Sequence, residues 1–102
     1  MQQQLKSSKT NSYGLFQAGK LEVELSSLDQ KLAEHYDNLS TKKNDLVTLK
    51  EKCGVFRNNT KFCDEYDIVL NNIDTLEKQI EYMQEQRLDL KQRINIYLSS
   101  SQ

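Results

Sequence analysis

Residues 46–69 read Leu-Val-Thr-Leu-Lys-Glu-Lys-Cys-Gly-Val-Phe-Arg-Asn-Asn-Thr-Lys-Phe-Cys-Asp-Glu-Tyr-Asp-Ile-Val, and the fold turns on how this stretch is parsed. Upstream, apolar residues recur in alternating steps of three and four: Ala18, Leu21, Leu25, Leu28, Leu32, His35, Leu39, Lys42, Leu46, Leu49, Cys53, Phe56. Downstream the same step resumes at Phe62, Tyr66, Val69, Ile73, Leu76, Ile80, Met83, Arg87, Leu90, Ile94, Tyr97, one residue out of phase. Such a period lays one apolar stripe on an α-helix and calls for a second helix to cover it. The slip falls where Gly54 offers a helix C-terminus and Arg57-Asn58-Asn59-Thr60 offers turn residues with an N-cap. The predicted architecture is therefore all-α, two long helices in an antiparallel coiled-coil hairpin, belonging to a larger helical bundle.

The boundaries follow. Residues 1–14 are Gln-, Ser- and Lys-rich without periodicity and read as a disordered polar lead. The hairpin occupies 15–98, with helix 1 over about 15–53, a loop over 54–61 and helix 2 over about 62–98; 99–102 read as a disordered tail. Matched helices around a short breaker favour fold-back. Across an antiparallel seam the facing residue numbers must have a constant sum, and a sum of 115 centres the turn between Arg57 and Asn58. It stacks Leu49 on Tyr66, Leu46 on Val69, Leu39 on Leu76, Leu32 on Met83 and Leu25 on Leu90. It also sets Glu24 by Arg93 and Lys52 by Glu65, whereas sums of 108 or 122 oppose like charges.

The chain of 102 residues has room for one domain; it contains no proline and three glycines, which suits helices. Two helices enclose little core, so the composition predicts partners. Fourteen basic and fifteen acidic residues give a net charge of −1 without a basic stripe, which argues against nucleic acid. No apolar run reaches the roughly 20 residues of a membrane span, and Met1–Ser12 lacks a signal-peptide core. The expected location is cytoplasmic or nuclear, not secreted.

Three polar residues interrupt the stripe: His35, Lys42 and Arg87. One reading is register control; the other is that long stems lie on the seam while their charges reach water. Arg87, facing Leu28 beside Asp29, is placed for a salt bridge. His35 has leucines and amides for neighbours, so no catalytic, cofactor or metal constellation assembles around it and no enzyme is expected. Cys53 and Cys63 come close across the turn, where a disulfide is geometrically conceivable; in a reducing compartment they read as small buried hydrophobes. The pair is similar to half of the twin motif of mitochondrial intermembrane-space hairpins.

A second, thinner stripe follows helix 2 off the seam: Ile68, Leu70, Tyr82, Leu88 and Ile96. With Leu15 and Phe16 these are the candidate partner-binding residues. The helix–turn–helix outline resembles prefoldin subunits and the short coiled-coil subunits of organelle-tethering or kinetochore assemblies. Prefoldin subunits insert β-hairpins between their helices, and 54–61 is too short for them. The function expected is a non-enzymatic structural subunit, scaffold or tether, of a hetero-oligomeric helical complex. The alternatives are a chaperone module or a homodimeric coiled-coil rod.

Overall fold

The computed structural model describes the backbone of residues 2–56 and 60–100, and the side chains of 12–56 and 60–99. Helix α1 spans Gln2–Val55 and helix α2 spans Lys61–Ser100; the two are in contact as a helical hairpin. The expected turn centre at Arg57/Asn58 lies outside the described residues, as do Ser101 and Gln102 of the expected tail.

The helix limits differ from the expected ones, for local reasons. Helix α1 begins at Gln2, so the polar lead 1–14 is helical from that residue on. Gln and Lys are good helix formers and nothing in 2–14 is a proline, so a missing apolar period does not by itself stop a helix. At the other end Gly54 is helical rather than a left-handed cap. Among the described residues no glycine has positive φ, and Phe56 N–H still donates to the Lys52 carbonyl at 2.8 Å. Helix α2 opens one residue early, at Lys61: the Thr60 carbonyl accepts from Asp64 N–H at 2.9 Å, the first bond of the new ladder. Lys52 in the last turn of α1 and Asp64 in the first turn of α2 each oppose the local helix dipole, worth about 0.3–1 kcal/mol apiece.

The chain divides into two compact units, each built from both helices. The first comprises Met1–Lys31 and Met83–Gln102. Its core is Ala18, Leu28 and Ile94, with Leu21, Leu25, Met83, Leu90 and Tyr97 half-buried. Gly14 is also buried, so small residues carry the seam toward the N-terminus where Leu and Ile give out. The second unit is Leu32–Tyr82. It buries Leu32, Ile73, Leu76 and Ile80, and half-buries Leu39, Leu46, Leu49, Phe62, Tyr66 and Val69. Each fully buried aliphatic side chain contributes roughly 1.5–3 kcal/mol. No larger side chain among the described residues is sealed below 2% exposure, as expected of a core one stripe wide.

Each unit carries a close contact between its helices that reports their alignment. In the first, Arg87 of α2 meets Asp29 of α1; in the second, Cys63 meets Cys53. Both pairs have residue numbers adding to 116, one from the 115 of the expected layers. An alignment on 108 would set Asp29 opposite residue 79, eight residues or about 12 Å of helix from Arg87.

Candidate protein-interaction surface

The three polar seam residues all sit half-buried at stripe positions. Arg87 Nε donates to Asp29 Oδ1 at 2.6 Å, with side-chain exposures of 38% and 44%. This charge-assisted bond is of the strong kind, though its exposure leaves it open to screening. His35 and Lys42 lie on the same stripe within the Leu32–Tyr82 unit. Among the described residues no group of three or more His, Cys, Asp or Glu is placed to hold a metal ion, and no helix is long and apolar enough to cross a membrane.

The flanking charges settle differently from the expected pairs. Arg93, expected opposite Glu24, bonds Asp89 of its own helix at 3.1 Å. Lys52, expected opposite Glu65, holds its ammonium 5.4 Å from the centre of the Phe62 ring. Asp74 and Lys78 form another i,i+4 pair at 3.1 Å. An i,i+4 neighbour is delivered by the helix itself, whereas a cross-helix partner must be reached by two long side chains, so local pairs win at small entropic cost.

Cys53 and Cys63 are joined in a disulfide, with Cα atoms 4.9 Å apart. This corrects their reading as free small hydrophobes. Two antiparallel helices joined by the short connection 56–60 bring the Cα atoms into the range of about 4.4–6.8 Å that the bond requires. Beside it the Phe56 and Phe62 rings lie 5.5 Å apart, tilted by 39°. Phe56 is nevertheless exposed by half, so the last position of the first stripe is a turn residue rather than a core one.

The seven partner-binding candidates are all exposed. Ile68, Leu70 and Tyr82 belong to the Leu32–Tyr82 unit; Leu15, Phe16, Leu88 and Ile96 belong to the other. Lys20 stands 5.2 Å over the Phe16 ring. Val23, Tyr36 and Val47, off the stripe of α1, are exposed as well, and the structure adds Tyr13 and Val55. Val23 and Val47 carried a signal, since apolar residues off the stripe of α1 are few; Tyr13 and Val55 fell in segments expected to be non-helical.

The first unit also holds an open groove of about 580 Å³ lined by residues of both α1 and α2. Val23, Leu28 and Leu90 alternate along it with Glu24, Lys31 and Arg93. Its open form and mixed charge set it apart from a small-molecule pocket, which is concave and mostly apolar. No known protein family, curated protein or solved structure matches the chain.

Proposed function

We propose that this protein is a non-enzymatic coiled-coil structural subunit, a scaffold or tether in a hetero-oligomeric helical complex. One observation carries the reading: each unit covers its seam with its own two helices, yet off-seam aromatic and aliphatic side chains stay exposed on both. Tyr82 is 62% exposed and Leu88 59%, on the helix whose other face forms the seam. A hairpin core one stripe wide gains from further helices laid along its outer face, as in three- and four-helix bundles. Partners are other helical subunits that present apolar residues at i, i+3, i+4 and i+7.

The same proposal places the chain in the cytoplasm or nucleus. A disulfide in such a compartment is a redox-responsive bond rather than a permanent staple. Affinity purification of the tagged full chain under native conditions, with mass-spectrometric quantification, tests the reading. Stoichiometric copurifying helical subunits are expected. A chain recovered alone, stable and monomeric, would refute it.

A further inference from the structure

We propose that the Cys53–Cys63 disulfide is a redox latch: closed, it confines the chain to its own fold-back; opened by a dithiol reductant, it lets the chain pair with a second copy of itself. This goes beyond the scaffold reading and does not depend on it. The argument is one of reach. The two Cα atoms stand 4.9 Å apart, with α1 ending at Val55 and α2 beginning at Lys61. No proline occurs between the cysteines, and Gly54 is already helical. Were α1 to run on into α2 as one helix, ten residues at 1.5 Å rise would part the cysteines by about 15 Å, far beyond a disulfide. A straight chain and an intrachain Cys53–Cys63 bond are mutually exclusive.

Once the bond is open, the seam has two equivalent ways to be covered. Helix α1 can pack on its own α2 or on the α2 of a second copy, with the same residues meeting in either case. This exchange of identical elements is domain swapping, and the connection decides its outcome because the contacts do not differ. Here the connection carries the only covalent tie between the helices besides the backbone itself, among the described residues.

The bond is placed for exchange. Both cysteines are half-buried rather than sealed, and Gly54, Val55 and Phe56 around them are exposed. A hollow of about 190 Å³ opens beside Cys53, lined by Lys50 and Tyr66. The Lys50 ammonium favours an approaching thiolate. That thiolate attacks Cys53 Sγ, forms a mixed disulfide and breaks the Sγ–Sγ bond. Cys63 leaves as thiolate in the first turn of α2, where helix N–H groups stabilise it. The second thiol of the reductant then attacks its own sulfur in the mixed disulfide and frees Cys53. Two electrons pass from the dithiol to the protein, which ends with two thiols, and the reductant leaves as a disulfide.

The test mixes unlabelled and ¹⁵N-labelled full-length chains in equal amounts, oxidised or treated with dithiothreitol, and follows them by native mass spectrometry and circular dichroism. Oxidised chains are expected to stay at 11.9 kDa without exchange and to run as monomers on a non-reducing gel. Reduced chains are expected to keep their helical signal and shift to dimers of twice that mass, half of them mixed. The Cys53→Ser variant should form mixed dimers in both buffers. The proposal is overturned if reduced chains and the variant stay monomeric, if oxidised chains exchange equally well, or if oxidation yields covalent dimers. Loss of helical signal on reduction would overturn it too, since the bond would then make the fold rather than choose between two pairings.

Discussion

Arg87 of α2 donates from Nε to Oδ1 of Asp29 on α1 across 2.6 Å, at a seam position that heptad logic reserves for an apolar residue. Both side chains keep more than a third of their surface in water, so the pair contributes little to net stability. Its effect is on alignment: a one-heptad slide toward the C-terminus of α1 would set the guanidinium by Tyr36, without a carboxylate, whereas a slide the other way would offer Glu22, so the pair excludes one of the two neighbouring registers. Asp29→Ala is expected to lower stability by about 0.5–1 kcal/mol, and less at high salt. Urea denaturation at two salt concentrations checks this; a loss above 3 kcal/mol would mean the pair holds the fold up rather than positioning it.

Ile80 is 5% exposed in the Leu32–Tyr82 unit. Ile80→Ala should cost about 2–5 kcal/mol through lost burial and the cavity left behind. Ile80→Asp should abolish cooperative unfolding altogether, because it puts a carboxylate in a buried position otherwise lined by the aliphatic seam. Circular dichroism unchanged in Ile80→Asp would remove this residue from the seam.

The outer face of α2 should respond oppositely. Tyr82→Glu and Ile96→Glu replace side chains that are 62% and 63% exposed, so helicity and unfolding midpoint are expected to stay within about 0.5 kcal/mol of the parent. Recovery of stoichiometric partners in the affinity experiment should fall. Undiminished recovery would make these residues ordinary surface, as scattered exposed apolar residues often are.

Gly19 and Gly54 both lie inside α1, and a Cβ built on either meets nothing within 4 Å. Neither needs positive φ. Gly19→Ala and Gly54→Ala are each expected to raise stability by about 0.5–1 kcal/mol by restricting the unfolded chain and removing the helix penalty. A lower denaturation midpoint in Gly54→Ala would show that its helical backbone is not the conformation populated in solution.

What the sequence discloses best is whatever depends on period. Leu28, Leu32, Ile73, Leu76, Ile80 and Ile94, all stripe residues, are the larger buried aliphatics, because the three–four step leaves a helix only one face to bury. Ends are read less well. Residues 2–14 lack a stripe but also lack a breaker, and Gly54 is a possible cap that the chain passes through as helix. Charge pairing is legible in part: the Arg87–Asp29 bridge follows from the seam, while the flanking pairs do not. Arg93 had Asp89 one turn away on its own helix, and such local competition is invisible when only cross-helix partners are weighed. The disulfide was legible as a distance and not as a bond, since spacing brings sulfurs together while oxidation depends on surroundings that the residues do not specify.

The hollow that Tyr66 shares with Cys53 has an optical consequence. The chain contains no tryptophan, so its near-ultraviolet emission comes from its five tyrosines. A disulfide quenches the excited state of a phenol ring beside it, and a pair of thiols does so far less. The intensity of this protein should therefore brighten when the bond is cut and dim when it re-forms, which gives its thiol chemistry a label-free signal readable in a cuvette.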